Sequence, residues 1–151
     1  MAYSKQDADD YTFMAIARAF AERSQDLTYK VGCVITRSDD ILAYGWNGMP
    51  AGMDNSMEYP NIVKHDCGSL YLKMRTRPEV QHAELNALGK LAASTNSSRG
   101  STLYCTLSPC FKCALLIHRS KVTQVVYEEE FKLTDGVDFL RGRGVKVRGL
   151  K

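Results

Sequence analysis

The polar and apolar positions alternate between a helical and a strand-like period, and the switches mark the elements. Over residues 7–24, Ala8, Tyr11, Met14 or Ala15, and Phe20 recur at helical spacing, which predicts a helix packed on a sheet. Asp7, Asp9 and Asp10 fall in its first turn, where carboxylates complement the helix dipole, and Arg18, Glu22 and Arg23 mark a solvated side. After a polar connection over 24–30, residues 31–36 and 41–46 read as two strands joined by turn residues 37–40, an antiparallel hairpin. Two glycines and a proline then break regular structure over 47–55, a loop suited to bringing backbone N–H groups near a ligand. Residues 56–80 show little periodicity. They form a stretch too long for an ordinary loop, with a helical turn expected at 70–74. Residues 81–93 predict a second helix, with Leu85, Leu88, Leu91 and Ala92 on its apolar side. A third strand at 102–107, a helix at 110–120, a strand at 122–127, an acidic solvated turn at 128–130, a helix at 134–143 and an edge strand at 145–147 complete the chain. The order predicts an α/β fold, a three-layer α/β/α arrangement of a five-stranded mixed sheet with helices on both faces. Its later strands, joined through helices, are expected to run parallel.

Composition narrows the class. A chain of 151 residues with 44% hydrophobic and 25% charged residues suits one soluble domain, 1–151, with a proper core. No apolar run reaches the roughly 20 residues that span a bilayer, and residues 1–7 lack a signal-peptide core, so a cytoplasmic protein is expected. Cysteines number five; Cys33 and Cys105 lie in apolar runs and read as buried thiols, the usage of a reducing compartment. The net charge of +3 suits phosphorylated small molecules, and no Lys/Arg cluster of the kind that tracks a nucleic-acid backbone is present.

The chemistry sits in two short stretches, Gln81-His82-Ala83-Glu84 and Ser108-Pro109-Cys110-Phe111-Lys112-Cys113. His82, Cys110 and Cys113 are zinc ligands by type and spacing. One imidazole and two thiolates occupy three corners of a tetrahedron and leave the fourth for water, as a catalytic zinc requires. Glu84 is close enough in sequence to handle that water's proton, the arrangement of the zinc-dependent base deaminases. A Cys-x-x-Cys also serves as a redox pair or as half of a structural zinc site. The latter would need a fourth donor from His65, Cys67, Cys33, Cys105 or His118. His65 and Cys67 alone are too few donors for a second metal. Both motifs stand at expected helix N-termini, so two positive helix ends converge on one metal. Backbone groups at Ala83, Ser108 and Pro109 are candidates for recognising the edge of a base.

On these motifs the chain resembles the deoxycytidylate (dCMP) deaminases of the cytidine deaminase superfamily, in a compact phage or bacterial form. The resemblance runs from about residue 23 to 127, and it is carried by 30–35, 44–52 (Tyr-Gly-Trp-Asn-Gly-Met-Pro-Ala-Gly), His82-Ala83-Glu84-Leu85-Asn86-Ala87 and 106–113. It implies hydrolysis of dCMP to dUMP and ammonia for thymidylate synthesis, with Glu84 as general acid/base. It also implies a homo-oligomer, often a hexamer, activated by dCTP with Mg²⁺ and inhibited by dTTP. By the same resemblance Asn47 contacts the deoxyribose. Gly48 and the loop to Asp54, with Asn47 and Lys30, form an effector site. Phe131 stands near a position where family members carry a substrate-contacting tyrosine, whose hydroxyl Phe lacks. Some phage members hold a second zinc through donors just upstream of the metal-binding His; Val80 there implies a single zinc.

Two other readings fit parts of the pattern. A tRNA adenosine deaminase shares the metal set and needs a broad basic surface. A structural zinc or nucleotide-binding module leaves Glu84 without a role.

Overall fold

The structure, a computed structural model, describes residues 4–150. Its elements are α1 (Lys5–Ala21), β1 (Gly32–Arg37), β2 (Asp40–Trp46), β3 (Glu58–Lys64), β4 (Leu70–Thr76), α2 (Ala83–Ala92), β5 (Thr102–Leu107), α3 (Phe111–Arg119), β6 (Gln124–Glu129), α4 (Asp135–Gly142) and β7 (Lys146–Gly149). The main sheet has five strands in the order β2-β1-β5-β6-β7. β1 pairs antiparallel with β2 and β5, whereas β5, β6 and β7 run parallel, each joined to the next through a helix. The sheet is therefore mixed, as the order of elements requires.

Strand alternation sorts the two cores. Cys33, Ile35, Leu103, Cys105 and Val125 point to one face and pack with Ala87, Leu88, Leu91, Ala114, Ile117 and Leu140 of α2, α3 and α4. Val34, Tyr104 and Val126 point to the other face and meet Phe13, Met14 and Ala17 of α1. One helix covers one face and three cover the other, so the three-layer expectation holds.

Several elements differ from the periodicity. α1 begins at Lys5, because Ser4 and Asp7 form a reciprocal capping box. Its buried face is Asp10, Phe13, Met14, Ala17 and Ala21, and Tyr11 is half exposed. Asp10 does not serve the helix dipole at the surface. It is buried, accepts hydrogen bonds from Gln6 Nε2 (2.9 Å) and the Tyr104 hydroxyl (3.0 Å), and pairs with Arg148. Arg18 is not simply solvated: its Nε donates to Glu128 at 2.7 Å. Glu128 and Glu129 end β6 rather than forming a turn. Residues 56–80 hold the largest departure: no helical turn forms at 70–74, and β3 and β4 pair as an antiparallel ribbon. Its side chains stand largely in solvent, so the core imposes no polar/apolar alternation for the sequence to show.

Candidate active site

Three ligand-type side chains meet where α2 and α3 begin. His82 is the N-cap of α2 and Cys110 the N-cap of α3, and neither side chain makes a capping hydrogen bond. N-cap residues ordinarily accept from the second or third helical N–H; here both are free to face each other. His82 Nδ1 lies 3.6 Å from Cys110 Sγ and 3.4 Å from Cys113 Sγ. All three donor atoms fall within 4.8 Å of one another, and they are the one such cluster among the described residues. A tetrahedral zinc with ordinary Zn–S and Zn–N bonds has S···N edges of about 3.6 Å. The donor set and its spacing therefore fit zinc.

Backbone packing holds the two helix starts in place. A Cβ on Gly45 would lie 2.4 Å from the carbonyl oxygen of Ala83, so only glycine lets β2 run this close under the start of α2. A Cβ on Gly136 would lie 2.3 Å from the carbonyl oxygen of Pro109 and 2.8 Å from the carbonyl carbon of Cys110. The start of α4 is thus pressed against the loop that carries the first thiolate.

Glu84, two residues into α2, is 4% exposed and lies beside the triad. Burial pushes its carboxyl pKa up. The backbone N–H of Glu84 and the His82 ring oppose that shift. Neighbouring thiol and imidazole groups share protons within the triad: hydrogen bonding from Cys113, then from His82, pulls the Cys110 thiol down to about 3. Cys113 is pushed up by the Cys110 thiolate and by burial. His82 is raised by its bond with Cys110.

Beside the triad opens a cavity of ≈ 280 Å³, lined by His82, Ala83, Glu84 and Cys110 together with Asp26, Tyr29, Asn47, Phe131 and Lys132.

The family described as the cytidine and deoxycytidylate deaminase zinc-binding region matches residues 7–129. The chain belongs to that family. The deaminase is 36% identical over 129 residues to the deoxycytidylate deaminase of Mycobacterium phage D29, covering 84% of this chain and 98% of that one. It is 32% identical over 168 residues to the deoxycytidylate deaminase of Enterobacteria phage T4, covering 90% of this chain and 86% of the relative. Its fold matches the crystal structure of dCMP deaminase from cyanophage S-TIM5 in complex with dCMP and dUMP, with a TM-score of 0.80 and 37% identity over 99% of this chain and 100% of that one.

The remaining expected site residues are distributed unevenly in the deaminase. Asn47, Ala83, Ser108 and Phe131 line the cavity; Pro109 is fully buried and does not. The Asn47 side chain accepts from Val31 N–H (2.8 Å) and donates to the Tyr29 carbonyl (2.8 Å) and to Asp26 Oδ2 (3.2 Å), so it shapes one wall. Ser108 Oγ accepts from the Phe131 N–H (2.8 Å), which ties these two lining residues together. Phe131 meets Tyr29 edge to face with ring centroids 6.4 Å apart. The expected effector residues do not share one cavity. Lys30 faces Glu22 in a separate cleft, Asp54 is exposed, and its carboxylate accepts from the Ser56 N–H at 3.3 Å. Gly48 lines a larger cavity of ≈ 510 Å³ with Arg23, Trp46, Gln81, Asn86 and Lys90. The backbone of Gly48 pairs in both directions with Gln81 (3.0 and 2.9 Å), the residue directly before the ligand His82.

The sequence reading passed over Asp26, Tyr29, Thr76 and Lys132 as cavity-lining residues, and took Val80 only as the sign of a single zinc. One local signal was available: Asp26 Oδ1 accepts from the N–H groups of Thr28 (2.7 Å) and Tyr29 (2.9 Å), an Asx-type turn that a polar Asp-x-Thr run can announce. His65 packs on Tyr71 and Cys67 Sγ lies 3.1 Å from Ser69 Oγ.

Proposed function

We propose that the protein is a zinc-dependent deoxycytidylate deaminase, hydrolysing dCMP to dUMP and ammonia and so supplying dUMP for thymidylate synthesis. The observation that carries the reading is the buried Glu84 beside the His82–Cys110–Cys113 triad and on the lining of an open cavity. His82, Cys110 and Cys113 would hold the zinc, which when bound supplies the charge that makes water a nucleophile near neutral pH. Glu84 takes a proton from the attacking water and delivers it to ring nitrogen N3. The water oxygen adds to C4. Glu84 then passes the second proton to the amine as the C4–N bond breaks, leaving dUMP and ammonia. The raised pKa of a buried carboxyl suits a group that must hold a proton between these steps. The positive ends of α2 and α3 stabilise charge that develops at the reacting oxygen.

The walls suit a pyrimidine nucleotide. Tyr29 and Phe131 offer ring faces for the base and sugar, backbone groups at Ala83 and Ser108 offer partners for the base edge, and Asn47 borders the deoxyribose. Lys132 is the one Lys or Arg lining the cavity among the described residues, and we assign it the 5′-phosphate.

Regulation is read from the second cavity. A triphosphate such as dCTP or dTTP, carried with Mg²⁺, would meet Arg23 and Lys90 there. The Gly48–Gln81 backbone pair would then relay its presence to His82. The same reading takes the protein as a homo-oligomer, with a hexamer expected, acting in a reducing cytoplasm (that of the host for a phage-borne chain). It acts on free nucleotides, without nucleic-acid or membrane partners; no helix among the described residues is long and apolar enough to cross a membrane.

The test is loss of cytosine absorbance with dCMP, deoxycytidine, CMP and dCTP as substrates, each alone and with dCTP·Mg²⁺ or dTTP·Mg²⁺. Turnover of dCMP, raised by dCTP and lowered by dTTP, is expected. Silence on every nucleotide despite one bound zinc per chain would reject the reading in favour of an RNA deaminase or a binding module.

A further inference from the structure

β3 and β4 pair with each other without a slip, from Glu58 opposite Thr76 to Lys64 opposite Leu70, and they pack on no other strand or helix to a comparable extent. Strand alternation gives this ribbon two unlike faces. Pro60, Ile62, Leu70, Leu72 and Met74 share one face, with Glu58 near the base and Lys64 at the tip. Tyr59, Asn61, Val63, Tyr71, Lys73 and Arg75 lie on the other, which mixes two aromatic rings and a valine with polar and basic side chains. The apolar face is the more open of the two: Ile62, Leu70 and Leu72 are 67%, 68% and 71% exposed, against 39% for Tyr59. A lone two-stranded hairpin is marginal in water, and a contiguous apolar patch of this kind marks an interaction site.

We propose that the apolar face of the β3–β4 ribbon docks on the same face of a second copy of the chain about a two-fold axis crossing the strands at mid-length. The pattern along each strand is what a two-fold demands. Reversal about the centre of β3 brings Glu58 of one copy to Lys64 of the other, at both ends of the contact, and Pro60 to Ile62 between them. Reversal about the centre of β4 brings Leu72 to Met74 and Leu70 to Thr76. The charges are therefore complementary at the rim and the aliphatic side chains meet in the middle, the self-complementarity of an isologous interface. The exposed side chains of this face offer roughly 500 Å² per copy, so two copies reach the ~1,000 Å² that a specific interface needs. The reversal also carries the tip of each ribbon to the base of the other, where Thr76 enters the wall of the active-site cavity. This inference rests on the self-association in the reading above and names its surface; it does not rest on the reaction.

The experiment is the mass of the zinc-loaded protein by light scattering after size-exclusion chromatography. The wild type is expected at a multiple of 16.9 kDa. The pair Ile62→Asp with Leu72→Asp should cut that mass at least two-fold at unchanged circular dichroism. Glu58→Lys and Lys64→Glu should each shift the equilibrium toward the smaller species, and the two together should restore it. Lys73→Glu, on the opposite face, should leave the mass unchanged. A wild type of single-chain mass, an undiminished mass in the Ile62/Leu72 pair, or no recovery in the double charge reversal would overturn the proposal. Turnover of dCMP read on the same samples separates the two ideas, since inactivity at full mass counts against the reaction and leaves the interface standing.

Discussion

Glu84 and Lys132 divide the work expected of single residues. Glu84→Gln keeps the shape of the side chain and removes its basicity. Zinc content by atomic absorption and thermal stability should match the wild type, while kcat falls about 10²- to 10⁴-fold, the contribution of a positioned general acid–base. Unchanged turnover would sink the mechanism. Lys132→Ala removes the cation assigned to the phosphate. Loss of one charge-assisted bond predicts a rise of about 10- to 100-fold in KM for dCMP and little change for deoxycytidine, which has no phosphate. An equal effect on both substrates would instead make Lys132 part of the scaffold. The His82–Cys110–Cys113 cluster and the neighbouring Glu84 were legible because metal chemistry restricts residue type and spacing within a few positions of the chain. Lys132 was not legible, because one lysine in a polar turn carries no pattern until the fold sets it on the lining of the cavity.

Between elements, the close approaches decide the site. Gly136→Ala forces the start of α4 off the Pro109–Cys110 backbone. The variant should lose several-fold in zinc affinity, read by chelator competition, together with a lower melting temperature; full zinc affinity would show that α4 does not hold the thiolate loop. On the other face of the sheet, Asp10 joins α1 to β5 and β7 through Tyr104 and Arg148. Burial, then the bond to Asp10, pushes the Tyr104 phenol pKa well above its ordinary 10.0. The folded chain therefore keeps this proton after the unfolded chain has released it. The stability contributed is whole below pH ~10 and falls above it by up to about 1.4 kcal/mol per pH unit. Urea titrations across that range should show the slope in the wild type and a shallower one in Tyr104→Phe. Helices and main-sheet strands were predicted to within a few residues, since each has at least one face on a core. The β3–β4 ribbon was missed because neither of its faces has one within this chain. The buried face of α1 was misjudged because a buried, partnered Asp10 reads as a surface acid.

For the whole molecule, a zinc held by His82, Cys110 and Cys113 would join α2 to α3 and should count as a folding ligand. Stripping it with a chelator should abolish turnover and lower the melting temperature, and Zn²⁺ should restore both. At free zinc about 1,000 times its Kd, binding adds about 4 kcal/mol to stability. A melting temperature indifferent to zinc would mean that the triad is not preorganised by the fold around it. By itself the sequence determined the layer architecture and marked the residues proposed to bind zinc and to carry the proton. Each of these is written in short-range terms: a ligand spacing of two or three residues, a period of two or of 3.6, and helices that must connect parallel strands. Only the tertiary structure decided which polar residues share a cavity with the His82–Cys110–Cys113 cluster, that Gly48 is tied to the residue before His82, and that Gly45 and Gly136 must lack a side chain. It also decided that a ribbon of open aliphatic side chains stands apart from the core. Those are relations between positions tens of residues apart, and they come into being only when the sheet brings the segments together in space.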